Sequence, residues 1–373
     1  MSLTVLITNN SLEQRAGTEL YVRDVALGLR ERGHTPIAFS TRLGEVARDL
    51  AGAGITAVDD LNRIEAAPDI IHGQYHLETM MALLHFPGVP AISVCHSAGS
   101  WLEVPPDFPR VRRYVAVDRA CRDWLIAHQV PEEKLTLLYN FVDLRRFRPR
   151  STSLPPQPQR ALLFSNYATA QTHLPAVREA CRRAGLHLDI IGDGYHAAVD
   201  APEALLGNYD IVFAKARCAI EAMAVGAAVV LCDFAGAGPM VTAKEFDQLR
   251  PLNFGARTLL KPLDPSVILS EINRYDAADA AQVSRLVRNT AALETVVDRL
   301  LELYEEARND YHALHDPDER AEGRAAAAYL GRLKTEFAAH AAASLRLRAR
   351  LERVPLVGRA GIRLIHAIVG KPG

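Results

Sequence analysis

Lys215, Arg217 and Glu221 lie close together in the segment DIVFAKARCAIEAMAVGAAVVLCD, residues 210–233. The apolar run Ile211 to Phe213 reads as a buried strand, and it leads through the two cations into a helix that Gly226 ends before a second apolar run. A helix start presents unpaired N–H groups and the positive end of its dipole, which together attract phosphate. Lys215 and Arg217 would add charge there, and Glu221, one turn into the helix, could accept hydrogen bonds from a ribose diol. The other reading of the same residues is an ordinary αβ hairpin of a sheet protein. His96 ends the strand-like run Ala91 to Cys95, at the kind of sheet edge where α/β proteins bind ligands. His72 and His76 are four residues apart and could face one ligand, but no third metal ligand accompanies them, so pocket-lining or structural roles are expected. Gly17 and Glu19 open another helix, where they could meet phosphate and acceptor, or Glu19 could simply favour the helix dipole.

Alternating elements are needed to bring these residues together. Strand-like runs fall at 3–8, 36–40, 69–72, 91–95 and 114–117, with helical patterns between them, so a parallel α/β sheet is expected. The proline-rich block STSLPPQPQR (151–160) then interrupts all periodicity, as a linker does. A second alternation follows, with strands at 161–165, 188–191, 211–213 and 228–231. The expected division is a Rossmann-like domain over 1–150, the linker, a second Rossmann-like domain over 161–310, and a hinge and basic helical tail over 311–373. Two doubly wound domains would face each other across a cleft.

Composition narrows the function classes. The 373 residues are 49% hydrophobic and 23% charged with a net charge of −1, so no overall field favours nucleic acid. The charge is nevertheless divided, because residues 320–373 hold 11 Lys and Arg against 3 Glu, a net of +8, and the preceding residues hold 32 against 41, a net of −9. In the tail Leu347, Leu351 and Val354 share one helical face and Arg346, Arg350 and Arg353 another; Ile365, Ile368 and Val369 later oppose Arg359 and Arg363. Such a segment (324–373) could lie on an anionic membrane surface or pack on the acidic body. Five scattered cysteines without CxxC spacing suggest neither a zinc site nor a disulfide framework. With no signal-peptide pattern and no apolar run of about 18 residues, a cytoplasmic location is expected, peripheral on the inner face of the membrane if the tail binds there.

Six segments resemble the GT-B glycosyltransferases, most closely glycosyltransferase family 4. They are AGTELYVRDVALGLRERGHTPIAFS (16–40), DIIHGQYH (69–76), SVCHSAG (93–99), KLTLLYNFVDLRRFRP (134–149), IGDGY (191–195) and IEAMAVGAAVVLCDFAGAGP (220–239). The resemblance covers residues 1 to about 310 and leaves the tail outside. It implies a GT-B fold and transfer of a hexose from a nucleoside diphosphate-sugar to a glycan or lipid-linked acceptor, without a metal or other cofactor. Retention of anomeric configuration, through an oxocarbenium-like transition state, is implied as well. By position, Gly17, Gly192, Lys215, Arg217 and Glu221 would bind the donor nucleotide and diphosphate, and His96 would act beside the transferred sugar. Glu19, His72 and His76 would line the acceptor or sugar pocket.

The chain departs from the pattern at informative places. Ala16 replaces the first glycine of the phosphate loop, Phe141 the glycine of an Asn-Gly-Val-Asp run, and Phe213 stands where a second, sugar-binding glutamate is usual. The loop before the Glu221 helix is short, which is similar to lipid-linked N-acetylglucosaminyltransferases of the MurG type. The second domain normally opens with Arg and Lys facing the diphosphate, whereas residues 164–174 read FSNYATAQTHL. A leaving diphosphate needs its growing charge stabilised, so Lys215 and Arg217 are expected to take over. The competing expectations are a GT-B protein that binds sugar nucleotides or glycans without turnover, and a sugar-nucleotide epimerase, which shares the fold.

Overall fold

Two parallel sheets follow one another along the chain in the computed structural model, which describes residues 2–197, 199–313 and 319–352. The first contains β1 (Thr4–Thr8), β2 (Thr35–Phe39), β3 (Thr56–Val58), β4 (Ile70–Gln74), β5 (Ala91–Cys95), β6 (Val111–Ala116) and β7 (Leu135–Leu137), in the order β3-β2-β1-β4-β5-β6-β7. Helices α1 (Gly17–Glu31), α2 (Glu45–Gly52), α3 (His76–His85) and α4 (Arg119–Ala127) connect its strands. The second contains β8 (Arg160–Phe164), β9 (His187–Ile191), β10 (Ile211–Ala214), β11 (Ala228–Asp233) and β12 (Gly236–Met240), in the order β12-β11-β10-β8-β9. Only β12 runs antiparallel. Its helices are α5 (Leu174–Ala184), α6 (Ala216–Val225), the single turn α7 (Phe246–Leu249), α8 (Pro265–Ile272) and α9 (Ala277–Thr290). This is the GT-B arrangement of two Rossmann-like sheets.

Strand order reverses between β1 and β4 and again between β8 and β10, and such switch points open a crevice at the carboxyl ends of the strands. Alternation along β10 decides which side chains can reach the crevice. Ile211 and Phe213 enter the core under α5 and α8, whereas Val212 and Ala214 face α6 and α9. Phe213 is therefore a fully buried core residue. A glutamate at that position would be a carboxylate buried in an apolar layer, which costs far more than the phenyl ring.

After α9 the chain returns to the first sheet. Val142 N–H donates to the Ala291 carbonyl at 2.8 Å and Leu293 N–H to the Val142 carbonyl at 3.1 Å, so the crossover is clamped by backbone. The helix that follows, α10 (Leu293–His312), packs on α1, β5 and β6, although its sequence position groups it with the second domain. Buried Tyr304 on α10 hydrogen-bonds His72 Nδ1 on β4 at 2.6 Å. Gly28 of α1 permits the close approach, since a Cβ there would stand 2.7 Å from Val297 Cγ2. Both sheets and α1–α10 form one compact unit. A second unit contains α11 (Glu319–Glu352), whose first residue already lies inside the segment expected as a hinge. The amphipathic faces expected over 346–369 fall outside the described side chains.

The α1–α10 contact is directly testable. Gly28→Val forces a side chain into Val297, and overpacking of this kind costs about 1–3 kcal/mol. A lowered thermal unfolding midpoint is expected, and an unchanged midpoint would contradict the close approach.

Candidate functional site

The loop between β1 and α1 brings Gly17 to the crevice, with nothing within 4 Å in the direction a Cβ would take. Opposite it, Gly192 closes β9 with φ of +137°, and a Cβ there would lie 2.1 Å from the Ser165 carbonyl oxygen. Only glycine fits that position. The next residues bind the loop after β8: Asp193 N–H donates to Asn166 Oδ1 at 3.3 Å and Gly194 N–H to the Asn166 carbonyl at 2.9 Å. Between the two glycine loops lies a cavity of about 390 Å³, lined by Gly17, Arg23, Arg146, Gly192, Arg217 and Glu221 among others. A second cavity of about 270 Å³ adjoins it, with Thr18, Tyr21, His96 and Tyr167 in its wall. Gly17 and Arg217 line both.

Charge is concentrated where the two cavities meet. Arg217 Nε donates to Glu221 at 2.8 Å, one helical turn along α6, and its other end pairs with Asp24 of α1. Asp24 also accepts from Arg23 Nε and Nη2 at 3.0 and 2.8 Å, and Arg146 Nη1 stands 3.9 Å away. Arg146 in turn pairs with Glu203 at 3.0 Å. Asp24 is 2% exposed and Glu221 3%. Burial pushes the Asp24 carboxyl up, but Arg217 and Arg23 outweigh it and leave the group below its ordinary value. For Glu221 burial prevails over Arg217, and its carboxyl is raised. Burial works against the charge of Arg217, yet Asp24 and Glu221 raise its pKa on balance.

Lys215 is separated from this network. Its ammonium group pairs with Asp233 at the end of β11 and lies 5.5 and 5.2 Å from the ring centroids of Tyr167 and Phe234. The expected pair of cations at the helix start is thus divided, with Arg217 in the cavity wall and Lys215 outside both cavities. Ala216 between them takes φ of +49°, a left-handed conformation rare for alanine that turns the chain from β10 into α6.

His96 stands at the mouth of β5 with its ring 4.6 Å from Tyr21, edge to face. Burial lowers its pKa to about 3, so the imidazole is neutral, and the buried Nε2 has no hydrogen-bond partner among the described residues. The His96 backbone N–H donates to Glu103 Oε2 at 3.0 Å. Glu103 is 4% exposed, and burial pushes its carboxyl up to about 8. The other candidate residues of the first sheet lie apart from both cavities. His72 is fully buried on Tyr304, with a pKa lowered to about 3 by burial. His76 packs edge-on against Trp101 at 4.8 Å. Glu19 accepts from Thr18 Oγ1 at 3.0 Å, and burial raises its carboxyl.

Arg23, Asp24 and Arg146 escaped the sequence reading. For Arg23 and Asp24 the signal was an adjacent Arg-Asp pair in a helix whose neighbours Tyr21, Val22, Val25 and Ala26 are all buried, which puts charges against the interior. A charged residue in such a position needs a partner, and Asp24 has no cation three or four residues away along the helix, whereas Arg23 stands four residues after Glu19.

Comparison with known proteins bears on the fold. A family model described as Glycosyltransferase Family 4 matches residues 15–146. The crystal structure of a glycosyltransferase from Rickettsia africae ESF-5 superposes with a TM-score of 0.61 at 16% identity, covering 82% of this chain and 98% of that one. Anabaena HepE, solved in complex with UDP-glucose, gives 0.61 at 13% identity, covering 82% and 100%. At such identities the likeness establishes the fold. No curated protein sequence matches the chain.

Titration of Glu103 carries a prediction about His96. A carboxyl whose folded pKa exceeds its unfolded value binds a proton in the folded state alone between the two, so its stabilising contribution falls as pH rises through that window. From the ordinary carboxylate range near 4.5 up to about 8, wild-type stability should therefore decline relative to Glu103→Gln. Parallel stability curves for the two proteins across that window would contradict the burial of this carboxyl.

Proposed function

We propose that this GT-B protein, with its glycosyltransferase family 4 segment at residues 15–146, transfers a hexose from a nucleoside diphosphate-sugar to a glycan or lipid-linked acceptor. The observation that carries the reading is the shared wall of the two cavities, formed by Gly17 and Arg217. The nucleoside occupies the larger cavity between the Gly17 and Gly192 loops, and the sugar enters the smaller one beside His96. The bond that breaks joins the anomeric carbon to a phosphate oxygen, and this arrangement puts it against the Arg217 guanidinium.

The chemistry follows from what those groups can do. As the bond lengthens, negative charge grows on the diphosphate, and a guanidinium already removed from water stabilises it strongly. Donor phosphate exchanges with a carboxylate on Arg217, whose second carboxylate partner, Glu221, turns toward the ribose hydroxyls. Neutral His96 accepts a hydrogen bond at Nε2 from a hydroxyl of the sugar or acceptor. Retention at the anomeric carbon and independence from a metal belong to the same proposal, supported by the family 4 resemblance and by arginines placed where a cation is needed. The UDP-glucose held by HepE makes UDP-glucose the first donor to try.

A panel of UDP-, GDP- and dTDP-sugars, tested by calorimetry and by release of the nucleoside diphosphate, examines the proposal. Binding with turnover in the presence of acceptor is expected. No binding of any donor would refute it, and reversible exchange at C2 would indicate an epimerase instead. In Glu221→Ala the donor should bind more weakly by about 1.5–3 kcal/mol, the range for a lost charge-assisted hydrogen bond; equal affinity would remove Glu221 from the ribose site. Among the described residues no helix is long and apolar enough to cross a membrane, so a lipid-linked acceptor would be met at the surface through the basic tail. Deleting residues 324–373 should lower binding to anionic liposomes, and equal binding by the shortened protein would refute that role.

A further inference from the structure

The loop expected to neutralise the diphosphate, residues 164–174, contains no Lys or Arg, and Lys215 is held by Asp233 outside the cavity. The cavity wall nevertheless carries guanidinium groups, and three of them meet at one carboxylate. Asp24 Oδ1 accepts from Arg23 Nε and Nη2, its Oδ2 accepts from Arg217 Nη2, and Arg146 Nη1 stands 3.9 Å from Oδ1. Two of these arginines come from outside the second sheet: Arg23 lies two turns into α1, and Arg146 lies in the segment that joins the sheets. Resting on the nucleoside diphosphate reading, we propose that Arg23 and Arg146 form, with Arg217, a diphosphate clamp supplied mainly from the first-sheet side of the cleft. Asp24 is its built-in placeholder, a carboxylate occupying the position that one phosphate takes.

Geometry and charge both favour this assignment. A guanidinium fork recognises a carboxylate and a phosphate with the same pair of N–H groups, so arginines aimed at Asp24 are already aimed for phosphate. Asp24 is 2% exposed, and the side chains of Arg23 and Arg217 are 10% and 13% exposed, so these two forks are largely desolvated before a ligand arrives. Arg23, Arg146 and Arg217 already have carboxylate partners in Asp24, Glu203 and Glu221, and Asp49 stands 4.0 Å from Arg23, so no free positive charge is left at the cluster. A diphosphate brings more negative charge than any one arginine meets, and displacing Asp24 frees Arg23 Nε and Nη2 and Arg217 Nη2 toward it, with Arg146 Nη1 beside them while the Nε and Nη2 of Arg146 stay on Glu203. Gly17, with open space where a side chain would be, leaves the approach to the cluster clear.

Calorimetry with inorganic pyrophosphate and with UDP, on the wild-type protein, Arg23→Gln and Asp24→Asn, tests the clamp. Losing one charge-assisted contact corresponds to about tenfold or more in affinity. Arg23→Gln should weaken both ligands by that factor, and Asp24→Asn, which removes the competing carboxylate, should tighten pyrophosphate by a similar factor. Unchanged pyrophosphate affinity in Arg23→Gln would overturn the clamp. A folded Asp24→Asn that binds pyrophosphate no better than wild type would overturn the placeholder; should that variant not fold, Asp24→Ser takes its place, with the same tightening expected. UDP binding equally to wild type and Arg23→Gln would leave the nucleotide reading standing and remove the clamp. Pyrophosphate following the expected order while UDP binds none of the proteins would do the reverse, and no binding of either ligand would remove both.

Discussion

The buried ion pair between Asp24 of α1 and Arg217 of α6 is the constraint on which the site depends. Nearly every other feature of the cleft is arranged around it. It links the two sheets through a carboxylate that is almost wholly removed from water and a guanidinium that is largely so, and burying a charge without a partner is costly. Arg23 gives Asp24 a partner within α1 and Glu221 gives Arg217 one within α6, so the Asp24–Arg217 pair is what joins these two paired groups across the cleft. The helix starts of both elements, the glycine loops and the shared wall of the two cavities lie around that junction. Breaking one member of such a network leaves the others without a full set of partners, which is costly where they are buried.

The same network separates positional from chemical roles among the polar residues. His72 is satisfied by Tyr304 and fastens α10 to the first sheet, and Lys215 is satisfied by Asp233 between two aromatic rings. Neither side chain reaches the cavities. Arg217 and His96 do, and each presents a group prepared by burial, one a charged fork and the other a neutral ring nitrogen. Glu103 holds the backbone of His96 from behind, so the orientation of that ring depends on a carboxyl that burial keeps protonated to an unusually high pH.

Much of the fold was legible in the chain because most strands are apolar, β-branched runs with helices of clear periodicity between them. The exceptions have separate causes. β12 reads Gly-Ala-Gly-Pro-Met and has no strand propensity of its own; it is extended because β11 pairs with it, Val230 opposite Met240. β3 and β7 have three residues each, too few to show a period. The packing of α10 on the first sheet is a tertiary choice that its own amphipathic pattern does not specify. In the site, Gly17, Gly192, Arg217 and Glu221 could be read from local pattern and family resemblance, since each follows a strand at a recognisable turn. Asp24 could not, because its partner lies 193 positions away and no spacing rule spans that distance. Phe213 shows the converse, where alignment to a pattern suggests a lost sugar contact and strand alternation puts the side chain in the core.

A crystal structure of the protein with UDP bound would examine the cleft most directly. Phosphate oxygens within hydrogen-bond distance of the Arg217 guanidinium, with the nucleoside between the Gly17 and Gly192 loops and Asp24 turned away from Arg217, are the expected result. UDP bound outside the cleft, or phosphates on Lys215 with the Asp24–Arg217 pair intact, would contradict it.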